Sequence, residues 1–179
     1  MPRITPFLWF DDQAEEAAKF YTSVFKDSRI TKVTRYGDSG PGPKGSVMTV
    51  AFELDGQPYT ALNGGPLFKF NESISFVVHC KNQKRVDEYW AKLTEGGEES
   101  MCGWLKDKYG LSWQIIPKAL PQLLSNPDPE KAKRVMDAML QMKKIDLATL
   151  EKAAADPKPK ASPKKSVRAK RSSVARAAR

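Results

Sequence analysis

Apolar residues along this chain switch between the two-residue period of strands and the 3.6-residue period of helices, and the resulting order occurs twice. The first occurrence reads strand, helix and three strands, and the second reads strand, helix and two or three short strands. Asp55-Gly56 gives a strong hairpin signal between two of the strands. The predicted strands lie at 4–10, 28–36, 46–54, 59–63, 73–80, 98–105 and 111–116, and the predicted helices at 14–25 and 83–93.

This repetition of pattern, which is not a repetition of residues, predicts two similar modules at 4–64 and 73–117. Each module would present one apolar sheet face, and such modules bury those faces jointly. Three further helical segments are predicted at 120–124, 129–142 and 147–155. The Ala, Val and Met stripe of the longest one is typical of core or dimer packing.

The charge is unevenly distributed and separates a globular part from a tail. The chain carries a net charge of +9, yet residues 156–179 contain nine basic residues and one acidic residue. This segment is also rich in Pro, Ala and Ser, so we expect a globular domain at 1–155 and a disordered basic tail at 156–179. The tail supports two interpretations, a solvated extension or weak, non-specific DNA binding through counterion release.

Cys80 and Cys102 are too few for a disulfide framework, and no signal peptide pattern precedes them. No apolar run reaches the length of about 20 residues that a membrane span needs. We therefore expect a cytoplasmic protein with two free thiols and no membrane partner.

Several segments together resemble the PhnB-like proteins of the glyoxalase/bleomycin resistance/vicinal-oxygen-chelate superfamily, which are often labelled 3-demethylubiquinone-9 3-methyltransferase. The resemblance covers residues 3 to about 150. It is carried by ITPFLWF at 4–10, AEEA at 14–17, FY at 20–21, DG at 55–56, ALNGG at 61–65, GW at 103–104, DKYG at 107–110 and SWQ at 112–114.

The resemblance implies an α+β fold of paired βαβββ modules that form a cupped mixed sheet around a small-molecule cavity, usually in a homodimer. Metal-dependent relatives hold a divalent ion with four inward side chains. The matching positions here are Thr5, Asn63, Ser75 and Gln114. These groups are neutral and include no imidazole or carboxylate, so we expect no metal and no other cofactor.

Other side chains could contribute to such a cavity. His79 is the chain's one histidine and shares a strand face with Ser75, which suits either a general base or an ordinary histidine at a strand end. Phe7, Trp9 and Trp104 form either an aromatic cavity wall or ordinary core packing. Cys102 is interpreted as a small packing residue, and Cys80 alternates towards the core.

The methyltransferase label has no support in a cofactor motif. The first strand runs into Asp11-Asp12-Gln13 without glycine, and the Gly-rich stretch 37–45 leads into another strand. The leading hypothesis is therefore a small-molecule-binding homodimer whose reaction, if any, the sequence leaves open. A non-enzymatic sequestering module and a DNA-associated protein acting through its tail are the alternatives.

Overall fold

The computed structural model describes residues 4–155, and the predicted basic tail with its hypothetical DNA contact lies outside the described residues. The described part contains two four-stranded sheets and five helices. Within it, no helix is long and apolar enough to cross a membrane.

The first module is a βαβββ unit, as predicted. Its strand order is β1-β4-β3-β2, with β1 parallel to β4 and the other neighbours antiparallel. The hairpin between β3 and β4 turns at Asp55 and Gly56, which both have positive φ. The elements are β1 (Phe7–Phe10), α1 (Ala14–Val24), β2 (Arg29–Arg35), β3 (Val47–Leu54) and β4 (Gln57–Asn63).

The second module repeats this topology in the order β5-β8-β7-β6, again with its first and last strands parallel. Its helix begins at a capping residue, because the Asn82 side chain accepts a hydrogen bond from the Arg85 backbone N–H. The elements are β5 (Phe76–Cys80), α2 (Gln83–Thr94), β6 (Glu98–Glu99), β7 (Trp104–Lys106) and β8 (Ser112–Pro117).

The two modules share one hydrophobic core, which is formed by the helix-covered faces of both sheets. Tyr21 of α1 lies near the centre of this core and is fully buried. Its ring is 6.3 Å from Phe52 of the first sheet and 5.6 Å from Trp113 of the second. The prediction of jointly buried modules is confirmed, and the helix α1 contributes to both sheets at once.

The chain continues into α3 (Leu120–Leu124), α4 (Pro129–Met139) and α5 (Leu147–Ala154), which enclose a second, smaller core with Ile116 of β8. Helix α4 ends three residues before the predicted Met142. The backbone carbonyl of Met142 instead accepts a 2.7 Å hydrogen bond from the Cys102 N–H, so the chain leaves the helix to pair with the turn before β7. Val135 is the buried residue of the predicted α4 stripe.

Candidate functional site

Each sheet has a face that points away from the shared core, called here its open face. On the first sheet, Leu8 and Phe10 of β1 are buried in the core, whereas Phe7 and Trp9 alternate to the open face. Phe7 is 60% exposed. Thr5 lies two residues before β1 and is exposed as well. Thr5 and Phe7 are therefore uncovered in a single chain, whereas Trp9 is half-buried against Phe68, with the two ring centroids 5.0 Å apart.

The second sheet presents the remaining predicted residues on the face opposite to the shared core, which the C-terminal helices cover in part at Ile116. Its open face carries Gln114 of β8, and the neighbouring Trp104 of β7 pairs with it in register. The side-chain amide of Gln114 donates a 2.8 Å hydrogen bond to the Ser75 hydroxyl. His79 lies on the adjacent strand β5 and is exposed, as is Val77 at 45%.

Seven of the eight predicted site residues thus lie on open faces, but in two separate groups. Phe7 and Trp9 belong to the first sheet, with Thr5 just before it in the chain. His79, Trp104 and Gln114 belong to the second sheet, with Ser75 beside Gln114. Because the shared core lies between the sheets, the open faces point outwards and do not face each other within one chain. One chain therefore carries two half-sites.

Asn63 is the predicted residue that the structure places elsewhere. It pairs with the core residue Phe10 and follows buried Ala61 on the helix-covered face of β4. Its amide oxygen accepts a 2.8 Å hydrogen bond from the Ala14 N–H at the start of α1, and its amide nitrogen donates to the Val47 carbonyl at 3.1 Å. The amide fixes the start of a helix instead of facing Gln114 across a cavity.

The four positions that correspond to a metal site do not suit a divalent ion. Asn63 lies on the helix-covered face, and both polar atoms of its amide already make hydrogen bonds. Gln114 is hydrogen-bonded to Ser75 at the second sheet, whereas Thr5 lies at the first. None of these neutral groups supplies the charge that divalent ions require. Across residues 4–155, no group of three or more His, Cys, Asp or Glu side chains is placed to hold a metal.

The single histidine and the two thiols differ in their surroundings. His79 is exposed and makes no side-chain hydrogen bond to another described residue, so the interpretation as a hydrogen-bonded histidine at a strand end finds no partner. Cys80 is buried in the core as predicted, and burial raises the pKa of its thiol to about 11. Cys102 contacts the Met139 carbonyl through its sulfur, at 3.7 Å.

A groove of about 770 Å³ lies between the modules beside β5. Its floor is aromatic, and its rim contains His79 together with four cations and two carboxylates. The aromatic residues are Phe25, Tyr59, Phe76, Tyr89 and Trp113, and the charged ones are Lys26, Lys81, Arg85, Lys118, Asp27 and Asp55.

A second cavity, of about 780 Å³, lies at the end of the first sheet beneath the loop 37–45, and is called here the loop pocket. It meets the open face at Trp9, whose indole N–H donates a 2.9 Å hydrogen bond to the Gly65 carbonyl. Asn63 also borders this pocket, whereas Gln114 does not. The shared cavity expected for Trp9, Asn63 and Gln114 is thus not formed within one chain.

Sequence reasoning did not identify Tyr36, Asp11 and Asp12 as lining residues of the loop pocket. The Gly- and Pro-rich composition of 37–45 was the available signal, since such a stretch between two strands forms a loop that can cover a sheet end. The composition does not show which side chains the loop encloses.

The topology defines a protein of the paired βαβββ class. Comparison with known proteins then gives its family, because residues 2–116 match the sequence profile described as 3-demethylubiquinone-9 3-methyltransferase. The chain belongs to this family, and the predicted PhnB-like relationship is confirmed.

Solved structures agree with this assignment. The PhnB protein from Bacillus cereus is 37% identical over 65% of this chain and 99% of its own, with a TM-score of 0.60. Protein PA1353 from Pseudomonas aeruginosa is 18% identical over 65% of this chain and 98% of its own, with a TM-score of 0.56, and supports the fold alone. The fosfomycin resistance protein FosX from Listeria monocytogenes is 15% identical over 70% of this chain and 98% of its own, with a TM-score of 0.48. This similarity is too remote to bear on function. No match was found among curated proteins.

The family description names a methyltransferase, but the described residues show no loop for such a cofactor. Strand β1 passes through Asp11, Asp12 and Gln13 into α1, and the glycine-rich stretch 37–45 joins β2 to β3. Neither connection places glycines between a strand and a helix N-terminus, where nucleotide-type cofactors are bound.

Proposed function

We propose that this protein binds a small organic molecule as a homodimer, in cavities that the open faces of two chains complete together. The observation that carries the proposal is the outward position of Thr5, Phe7 and Trp9 on one sheet and of Ser75, His79, Trp104 and Gln114 on the other. A cavity that uses both half-sites needs the first sheet of one copy and the second sheet of another.

The character of the open faces supports a second copy as their occupant. Phe7 exposes 60% of its surface on the first sheet and Val77 exposes 45% on the second, so each open face offers an apolar side chain to a second copy. Such a pairing is self-complementary, because each copy offers one half-site of each kind and a two-fold axis generates two equal cavities.

The part of the ligand that we propose between the paired open faces is an uncharged polar or aromatic group. Trp9 and Trp104 offer flat apolar walls, and the Gln114 amide supplies both a donor and an acceptor. Pockets with apolar walls and a few fixed polar groups are typical of small-molecule sites. The proposal stops at binding and requires no metal, since the neutral donor set does not suit one.

Light scattering and a ligand screen test this proposal. We expect a particle of about 40 kDa, twice the chain mass of 20.0 kDa. A ligand found in the screen should bind less tightly to the Gln114→Ala variant. The matched control is Gln122→Ala, which changes an exposed glutamine of α3. A monomer of about 20 kDa that still binds the ligand with both variants equal would contradict the paired-face arrangement.

A further inference from the structure

The loop pocket differs from the groove beside β5 in the sign of the charges around it. Three acidic residues, Asp11, Asp12 and Glu15, are among its lining residues, and no described Lys, Arg or His is among them. The groove beside β5 has nearly the same volume yet has four cations at its rim. Of the net charge of +9, residues 156–179 contribute +8 (nine basic residues and one acidic), so residues 1–155 are nearly neutral and the acidic character belongs to the pocket.

Two of these carboxylates are free to act on a ligand. Glu15 is already paired with Lys19 at 2.7 Å and with Arg35 at 3.7 Å. The side chains of Asp11 and Asp12, by contrast, make no ion pair or hydrogen bond to any residue within 4–155, and both residues are exposed. Their two negative charges at the pocket remain uncompensated by the described part of the fold.

Two aromatic rings border the same pocket and lie directly against glycines. A Cβ atom on Gly64 would lie 2.2 Å from Cε2 of Trp9, and a Cβ on Gly42 would lie 2.3 Å from Cε2 of Tyr36. The Trp9 indole is also held by its hydrogen bond to Gly65, and the Tyr36 hydroxyl is 3.4 Å from the Asn63 carbonyl. Both rings are therefore fixed by close backbone packing at the pocket wall.

We infer that the loop pocket binds an organic cation, an alkyl- or arylammonium group whose apolar body packs on Trp9 and Tyr36 and whose charge lies near Asp11 and Asp12. Aromatic faces attract ammonium groups through their quadrupole, and Trp is the strongest of them. The remaining lining residues include Val47, Met48 and Leu62, which suit the apolar body. An anion would meet two unpaired carboxylates there, which disfavours it.

This inference deepens the proposed small-molecule function and rests on it, since the loop pocket joins the open face at Trp9. It names a ligand group for one end of that site, while the paired faces hold the uncharged remainder. A single ligand with an ammonium group at one end and a polar aromatic body would satisfy both.

Isothermal titration of the full chain with three probes of similar size tests the inference. The probes are phenyltrimethylammonium, benzyl alcohol and benzenesulfonate, at low and high sodium chloride. We expect the cation to bind most tightly and to lose affinity as salt rises, because salt screens exposed charges. Binding of the neutral or anionic probe as tightly as the cation would overturn the charge assignment.

The decisive variant is Asp11→Asn with Asp12→Asn, which keeps side-chain size and removes both charges. We expect binding of phenyltrimethylammonium to weaken about tenfold, from the loss of two partly screened attractions. The matched control is Glu95→Gln with Glu130→Gln, which neutralises two exposed carboxylates outside the pocket and should change little. Circular dichroism checks that both double variants are folded.

The outcomes separate the two proposals. Equal affinity of the two double variants would overturn the cation inference, even if the protein is a dimer that binds other small molecules. If the cation binds as expected but to a monomer, the inference is supported and the paired-face arrangement fails. If none of the three probes binds, the inference is overturned. The proposed function fails as well only if the ligand screen also finds no small molecule that binds.

Discussion

The hydroxyl of Tyr21 donates a 2.8 Å hydrogen bond to Oδ2 of Asp107, and both residues are buried although 86 positions separate them. The same carboxylate accepts from the Trp113 indole at 2.8 Å and from the backbone N–H groups of Tyr109 and Leu111. Asp107 therefore joins α1 of the first module to β8 of the second and satisfies four donors in the shared core.

The first prediction concerns the stability of this connection. Tyr21→Phe removes one buried hydrogen bond and should lower the free energy of unfolding by about 1–2 kcal/mol. Asp107→Ala leaves several buried donors without a partner and should cost about 3 kcal/mol or more. Denaturant unfolding of the single and double variants measures the coupling, and additive effects would mean that the bond contributes nothing of its own.

The second prediction concerns pH. Burial raises the pKa of Asp107 above its ordinary value, and the hydrogen bonds from Trp113 and Tyr21 offset only part of that rise. The folded chain therefore binds this proton more tightly than the unfolded chain does. In the pH interval between the unfolded and folded pKa values, stability should fall as pH rises through the contribution of this group.

The measurement is urea unfolding of wild type and Asp107→Asn across acidic to neutral pH. The difference in unfolding free energy between the two should vary with pH in the stated direction, because the asparagine does not titrate. A difference that stays constant, or that increases with pH, would show that the folded-state pKa is not raised.

The element pattern was predictable because each module alternates between two distinct periods, but the site was predictable only in part. Phe7 and Trp9 follow from strand alternation, Gln114 follows from the match to a family position, and all three lie on open faces. Asn63 does not, although its parity with buried Ala61 already places it on the helix-covered face of β4. Matching it to a family position overrode that signal.

The loop pocket could not be predicted, for a different physical reason. It depends on how closely the rings of Tyr36 and Trp9 approach the backbone at Gly42 and Gly64. Trp9 and Gly64 are distant from one another along the chain, and composition does not determine such a tertiary contact. Tyr36 and Gly42 are close in sequence, but composition does not determine the path by which the loop returns to the ring. The early end of α4 also depends on a contact between distant residues, because the Met142 carbonyl accepts a hydrogen bond from the Cys102 N–H.

The third prediction tests the pairing of open faces. Val77→Asp places a charge on the open face of β5 and should convert the proposed dimer of about 40 kDa to a monomer, because the buried charge would lack a partner. Val33→Asp is the control, since Val33 is 36% exposed on the first sheet and pairs with Val50 of the helix-covered face. Sedimentation at micromolar concentration distinguishes the two masses, and dissociation by both variants alike would argue against a specific role of the open face.

The fourth prediction is that the purified protein contains no stoichiometric divalent metal. The neutral groups of Thr5, Asn63, Ser75 and Gln114 provide no anionic ligand, and the last three of these side chains make hydrogen bonds within the fold. Elemental analysis after purification without chelator should give far less than one ion of zinc, manganese, nickel or iron per chain. One bound ion per chain would refute the prediction and reopen Lewis-acid chemistry.

The last prediction uses glycine substitutions to test the two aromatic rings of the loop pocket. Gly42→Ala and Gly64→Ala each place a Cβ within 2.3 Å of a ring atom, so Tyr36 or Trp9 must shift. Gly37→Ala is the matched control in the same region, because nothing lies within 4 Å of its added Cβ. If the rings hold the apolar body of an ammonium ligand, each of the first two variants should weaken phenyltrimethylammonium binding by about three- to tenfold.

Gly37→Ala should bind as wild type does, which controls for stiffening of the loop by a Cβ atom. Thermal unfolding shows whether any variant loses its fold, and calorimetry then compares affinities of the folded proteins. Unchanged affinity in Gly64→Ala would exclude Trp9 as a contact, because its ring cannot remain in place beside the new methyl group. Unchanged affinity in Gly42→Ala would exclude Tyr36 as a contact. Unchanged affinity in both variants would leave the carboxylates as the sole basis of cation binding.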